Sequence, residues 1–270
     1  MIETAFFARQ ERLGLVESTN DVVRGWLAAG VPEVCLAVAD EQSAGRGREG
    51  RTWVAPAGRA LLISLGFRPT WLAPDRVWQL AGAVSLAMAE AAEEVAGLPT
   101  GTIRLKWPND LVVEMDGLVR KVAGVLGETD GLGGEDPRAV VGIGINADWP
   151  ATEFPSGLAG SMTSLREAAG GRSIDRDRLL LAFADRLEQR IDAVRTGGFD
   201  GASWTDRQLT DGRLVDLIGP DGVSTSVRAL RADPLSGALI VEDRTAPGVE
   251  GTERAIVSGE IRHLRLSGDV

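Results

Sequence analysis

Behind the polar run Ser18-Thr19-Asn20-Asp21, apolar residues Val22, Val23, Trp26 and Leu27 recur at helical spacing, which predicts a capped helix running to about Gly30. Val34 to Ala39 is continuously apolar and reads as a buried strand, and Ala60 to Phe67 as another. Pro74 then introduces a long amphipathic helix from about Asp75 to Val95. Four more apolar stretches, Ile103 to Trp107, Leu111 to Glu114, Lys121 to Thr129 and Ala139 to Asn146, predict strands. Met115-Asp116-Gly117 predicts a hairpin turn, and the Gly- and acid-rich segment from Gly131 to Pro137 a loop. From about Asp175 to Arg195, Leu179, Leu180, Phe183, Leu187 and Ile191 mark the core face of a second long helix, and a short helix follows Gly197-Gly198.

From about Asp211 the pattern changes to short strands separated by Gly, Pro and Asp: 214–218, 225–230, 238–242, 253–257 and 261–266. Five strands in under 60 residues predict a small SH3-like β-barrel. The reading is therefore an α+β chain, with a mixed-sheet domain with packed helices at 1–210 and the small barrel at 211–270.

At 270 residues, 44% hydrophobic and 25% charged, the chain is long enough for one large domain and a smaller one, each with a core. No apolar run approaches the roughly 20 residues of a membrane span, and the start of the chain lacks the shape of a signal peptide. The expected location is cytoplasmic, with no membrane partner. One cysteine, Cys35, and one histidine, His263, exclude an intrachain disulfide and a His/Cys zinc site, and leave serine–histidine–carboxylate chemistry poorly supported. Cys35 reads as a buried small hydrophobe and His263 as a strand residue. A net charge of −10 argues against a general polyanion-binding surface.

Against that acidic background, Gly45-Arg46-Gly47-Arg48-Glu49-Gly50-Arg51-Thr52-Trp53 stands out: three glycines free the backbone, and three arginines offer cationic forks that can converge on a phosphate or carboxylate. A solvated charged turn and an RNA-binding segment are the competing readings. Lys121 opens an otherwise buried strand, so its stem can pack while its ammonium faces either a cavity or solvent. In a dry cavity a fixed cation lowers the barrier for two anions to meet. Asn109 and Asp110 follow Pro108 in Lys106-Trp107-Pro108-Asn109-Asp110, where they can hold a magnesium ion or hydrogen-bond the turn itself, and Asn146 invites the same two readings. Gly142 and Gly144 at alternate positions leave one strand face bare for a flat ligand.

Taken together, Ser18-Thr19-Asn20, Gln42 through Trp53, Lys106 through Asp110, Lys121 through Gly124 and Gly142 through Asn146 resemble the catalytic domain of biotin protein ligases, and Ser258-Gly259-Glu260-Ile261-Arg262-His263 resembles the end of their C-terminal domain. The resemblance spans nearly the whole chain. It implies a class II synthetase-like fold of the biotin/lipoate ligase type and an ATP-dependent, AMP-forming reaction. Biotin is activated by Mg-ATP to biotinyl-5′-AMP, and the biotinyl group passes to a lysine of a biotin carboxyl carrier protein.

By matched position, the resemblance assigns Ser18, Thr19, Asn20 and Gln42 to the biotin rings, and Arg46, Gly47 and Arg48 to the carboxylate side. Lys121 bridges carboxylate and α-phosphate, with Arg46 and Arg48 beside it in catalysis. Arg48, Arg51, Trp53, Asn109, Asp110, Lys121 and Asn146 serve ATP, with Asp110 a ligand of Mg2+. Ser18 and Thr19 each have two readings, ring contact or helix cap. Some members of the family carry an N-terminal helix-turn-helix domain and repress transcription. Fewer than twenty residues precede Ser18, so the expectation is a ligase without DNA binding. A lipoate ligase or octanoyltransferase of the same fold is the first alternative, and a non-catalytic nucleotide- or RNA-binding protein the second. Pairing sheet edges are not visible in a sequence, which leaves a homodimer open.

Overall fold

The computed structural model describes residues 2, 4–219, 222–243, 251–257 and 260–263. Its larger sheet has seven strands: β1 (Arg9–Val16), β2 (Cys35–Gln42), β3 (Ala60–Phe67), β4 (Arg104–Lys106), β5 (Asp110–Met115), β6 (Leu118–Asp130) and β7 (Arg138–Asn146). They lie in the order β1-β2-β3-β7-β6-β5-β4, antiparallel except for the parallel pair β1 and β2. Six of the seven fall where the apolar pattern predicts them. β1 escapes it: its sequence RQERLGLV lies at the sheet edge with no fully buried residue, so it shows no hydrophobic alternation. The hairpin between β5 and β6 turns on Asp116 (φ 53°) and Gly117 (φ 70°), the paired left-handed conformation of a tight Asp-Gly turn.

Helices cover both faces of this sheet. α1 (Thr19–Ala28) packs Val23 and Leu27 against the face that presents Gly66, where a methyl group would lie 2.5 Å from Val23 Cγ1. On the opposite face lie α2 (Trp78–Ala96) and α4 (Arg176–Arg195), packed on one another. The sequence pattern predicts α2 as amphipathic, yet fourteen of its nineteen residues are buried. It is sandwiched between sheet and α4, and its run of alanines permits that close approach. Gly97 ends it in the left-handed conformation (φ 60°). α4 begins at Asp175, whose side chain accepts from the backbone N–H groups of Asp177 and Arg178. Among the buried residues are Cys35, whose thiol is pushed up to about 11 by burial, and Glu93, which bonds both terminal nitrogens of Arg207 at 2.8 and 2.9 Å.

A short helix, α3 (Leu165–Ala168), precedes α4, and another, α5 (Gly201–Asp206), leads from α4 to the second sheet. Its strands are β8 (Leu214–Ile218), β9 (Ser224–Ala232), β10 (Leu239–Asp243), β11 (Glu253–Ile256) and β12 (Glu260–His263), in the order β11-β10-β9-β8-β12. All five coincide with predicted strands, and His263 lies on β12 opposite Val215. The predicted extension of the last strand to Leu266, and Ser258-Gly259 of the C-terminal motif, lie outside the described residues. This sheet meets the larger one where Trp107 Nε1 donates to Gly237 O at 3.0 Å.

Asp211 stands at the junction, accepting from the Ala232 N–H at 2.8 Å, and burial pushes its carboxyl up from 3.8 to about 6. The folded carboxyl therefore holds its proton more tightly than the unfolded one. Its stabilising contribution is full below about pH 4 and is lost as pH rises through about 6. Asp211→Asn, which keeps the acceptor and removes the titration, is expected to remove that fall in stability. Urea midpoints from pH 4 to 7 check this, and an identical pH slope in the two proteins contradicts it.

Candidate functional site

On the α1 side of the large sheet, the area that the helix leaves uncovered is a cleft of about 460 Å³. That volume suits a ligand of small-molecule size. Its floor is made of glycines. Gly124 on β6 pairs with Gly144 on β7, and Gly142 pairs with Ser64 on β3, so the pleat leaves this part of the face bare at three positions. Asn20, Trp53 and Lys121 lie directly on it. Asn20 Oδ1 sits 2.2 Å from where a methyl on Gly142 would be, and the Trp53 indole 2.7 Å from the same position on Gly144. The sequence reading reserves this surface for a flat ligand. Here an indole lies on it, and its buried Nε1, against Gly144, has no hydrogen-bond partner among the described residues.

Lys121 reaches the cleft because of a β-bulge. Leu111 pairs with Ala123 but Val112 pairs with Lys121, which leaves Val122 as the extra residue. Regular alternation would put Lys121 and Gly124, three residues apart, on opposite faces; instead Lys121 Nζ lies 3.0 Å from where a Gly124 methyl would be. Where β7 no longer flanks β6, residues 161–163 take its place. Lys121 N donates to Ser161 O and Thr163 N to Lys121 O, both at 2.8 Å. The ammonium is 2.6 Å from Asp110 Oδ1 and 5.5 Å from the Trp53 ring centre, so its position is fixed by charge and by the aromatic face.

At the other end of the cleft the groups are neutral and buried. Ser18, Thr19 and Asn20 open α1 and are each under 5% exposed. Ser18 occupies the N-cap position, but its hydroxyl makes no cap bond. The capping is done from β2: Gln42 Oε1 accepts from Thr19 N at 2.7 Å and from Thr19 Oγ1 at 2.9 Å. Beneath them, Ser64 is fully buried, with Oγ 2.7 Å from Thr19 Oγ1 and 2.5 Å from Asn20 Oδ1. Ser64 was not singled out from the sequence, although it is the one polar residue in an otherwise apolar strand.

The arginine segment is a small hairpin. Trp53 N bonds Gly45 O at 2.9 Å, Gly47 N bonds Arg51 O at 2.6 Å, and the tip turns through Glu49 (φ 56°) and Gly50 (φ 73°). Its arginines differ in their surroundings. Arg46 bonds both oxygens of Asp21, at 2.6 and 2.8 Å, and holds that carboxyl below the usual range. Arg51 pairs with Glu49 at 3.2 Å. Arg48 lines the cleft without a side-chain hydrogen bond or ion pair among the described residues. The sequence reading treats Arg46 and Arg48 alike; only Arg48 is uncommitted.

Asn109, Asp110 and Asn146 also line the cleft, and their bonds are specific. Asn109 Nδ2 donates to Val125 O at 2.7 Å while Val125 N donates to Asn109 O at 2.9 Å, so this residue continues the sheet pairing. Asn146 Nδ2 donates to Thr163 O at 2.9 Å. Asp110 presents a carboxylate beside Lys121. No cluster of three or more potential metal-ligating side chains exists among the described residues. A magnesium ion here would therefore take most of its ligands from phosphate and water, with Asp110 as the protein carboxylate. The structure thus brings all thirteen sequence-predicted residues to one cleft. Arg46, Arg48, Arg51, Lys106 and Lys121 line it against Glu49 and Asp110, a cationic site in an acidic protein. No helix among the described residues is long and apolar enough to cross a membrane.

The sequence profile of the biotin/lipoate A/B protein ligase family matches residues 13–146. The bifunctional ligase/repressor BirA of Bacillus subtilis is 32% identical over 185 residues, 68% of this chain and 54% of that protein, so the chain spans about half that relative's length. The biotin–[acetyl-CoA-carboxylase] ligase of Mycobacterium tuberculosis is 30% identical over 253 residues, covering 92% of this chain and 86% of the relative. Among solved structures, biotin protein ligase from Aquifex aeolicus in complex with biotin and ATP superposes with a TM-score of 0.75 at 28% identity, over 96% of this chain and 100% of that one.

Proposed function

The chain belongs to the biotin/lipoate A/B protein ligase family, and on that premise we propose that it is an ATP-dependent biotin protein ligase. The observation that carries this reading is the division of one cleft into a neutral hydrogen-bonding end and a cationic end joined by a glycine floor. A ureido ring offers donors and acceptors without charge, which matches Ser18, Thr19, Asn20 and Gln42. The dithiolane of lipoate and the alkyl chain of octanoate offer nothing to the hydrogen-bonding capacity these groups keep after pairing with one another, which favours a ureido ring here. The acid's carboxylate then points along the floor toward Arg48 and Lys121.

In the first step a carboxylate oxygen attacks the α-phosphorus of Mg-ATP, the bond to the pyrophosphate oxygen breaks, and biotinyl-5′-AMP forms. Lys121 sits where carboxylate and α-phosphate meet, and its charge offsets their repulsion. Asp110 would hold the magnesium ion that accompanies ATP, which would supply charge neutralisation at the phosphates. Arg48, Arg51 and Trp53 cover the nucleotide and limit hydrolysis of the mixed anhydride. In the second step the uncharged ε-amine of a carrier lysine attacks the acyl carbon, AMP leaves, and the amine's proton passes to solvent. The carrier is a biotin carboxyl carrier protein or domain. Residues 1–210 form the catalytic unit in this reading and residues 211–270 the smaller one.

Pyrophosphate release from Mg-ATP, measured separately with biotin, lipoate and octanoate, tests the reading. Release with biotin alone is expected. Release with lipoate instead moves the chain to the other branch of the family, and release with none of them removes the enzymatic reading.

A further inference from the structure

We infer that Glu128, near the end of β6, is a positioning residue that sets the hydrogen-bond polarity of the acid-recognising end and ties it to the arginine hairpin. The inference rests on the biotin-ligase reading and extends it to a residue outside the predicted site. One oxygen of Glu128, Oε2, lies 2.6 Å from Asn20 Nδ2, 2.8 Å from Arg24 Nη2 and 3.6 Å from Arg46 Nη2. The same side chain therefore touches the floor-bound asparagine and the hairpin's anchoring arginine.

The polarity follows from elementary donor and acceptor rules. A carboxylate only accepts, so Asn20 must turn its NH2 toward Glu128 and its Oδ1 toward Ser64. Oδ1 only accepts, so the single Ser64 hydroxyl proton is directed to it at 2.5 Å. Ser64 Oγ is then an acceptor toward Thr19, and the Thr19 proton goes either to Ser64 Oγ at 2.7 Å or to Gln42 Oε1 at 2.9 Å. Both partners lie within the protein. Thr19 thus presents a lone pair to the cleft, an acceptor for a ring N–H, and the group that fixes this is a carboxylate three residues removed along the chain of bonds. Arg46 links the same carboxylate to the hairpin, because it is held by Asp21 and Glu128 together.

Glu128→Gln removes the charge and lets Asn20 reverse its amide, while Glu128→Asp keeps the charge. In the full-length protein, the Gln variant is expected to raise the KM for biotin about tenfold or more with the KM for ATP unchanged, the loss of a charged hydrogen bond at one end of the cleft only. It is also expected to lose discrimination between biotin and a ureido N-methyl biotin, since Thr19 can then turn its proton outward. Biotin is expected to slow trypsin cleavage at the hairpin arginines in the parent but not in the Gln variant, and Glu128→Asp should recover part of each effect. Equal rises in both KM values, or unchanged discrimination and protection in a variant that melts like the parent, overturn the inference. Failure of the parent to use biotin overturns the ligase reading instead, so the two failures are distinguishable.

Discussion

Lys121→Ala is expected to lower the rate of pyrophosphate release by about 10²–10³-fold, the scale of removing one preorganised charge from a reacting centre. The lysine is partly exposed and its strand neighbours Val122 and Ala123 carry the packing, so the fold should survive. Its loss does more than delete a cation. Asp110 Oδ1, 2.6 Å from the ammonium, becomes an uncompensated carboxylate at the point where carboxylate and phosphate must meet. Adding Asp110→Asn in the Lys121→Ala background removes that repulsion. The double variant should still recover neither kcat nor the KM for ATP, because the proposed work on the reacting oxygens belongs to Lys121 and Asp110 is the proposed magnesium ligand. Steady-state kinetics of the two variants check this, and a Lys121→Ala enzyme with parental kcat would contradict the assignment.

Gly142→Ala carries the second large effect. The new methyl would lie 2.2 Å from Asn20 Oδ1 and 3.1 Å from its Cγ, far inside contact distance. Asn20 is 4% exposed and bonded to Ser64 and Glu128, so it cannot yield without breaking both bonds. A displacement of about 1 Å at a recognition residue costs on the order of 100-fold. The KM for biotin is expected to rise by that amount while the KM for ATP is less affected, because the atoms nearest the added methyl all belong to Asn20. Gly127→Ala, on β6 with open space around the added methyl, is the matched control. Titration of biotin against both variants checks the prediction, and equal KM values would contradict it.

The parts of this molecule that were legible in the sequence are those written in local pattern. β2, β3, β7 and the strands of the small sheet are short apolar or alternating runs, and the Asp116-Gly117 turn has a residue pair suited to its geometry. Arg46, Arg48, Arg51 and Lys121 stand out because arginines between glycines and a lysine opening a buried strand are locally odd, whereas Ser18, Thr19, Asn20 and Gln42 take their roles only from the family resemblance. What was not legible depends on partners distant in sequence. β1 is defined by pairing with β2, not by its own hydrophobicity. The bulge at Val122 that turns Lys121 into the cleft needs the register of β5. The capping of α1 by Gln42 frees Ser18 and settles part of the question that the Ser-Thr pair left open, yet Gln42 lies a strand and a loop away. The separate fates of Arg46 and Arg48 depend on Asp21, which the sequence shows only as a residue in the first turn of a helix.

The central claim is tested most directly by incubating the protein with Mg-ATP, biotin and a biotin carboxyl carrier domain, then mapping any added mass by tandem mass spectrometry. The account predicts one biotinyl group on a single carrier lysine, absent without ATP and strongly reduced with Lys121→Ala. An unmodified carrier beside a parent protein that binds both substrates, or labelling that persists unchanged with Lys121→Ala, would contradict it.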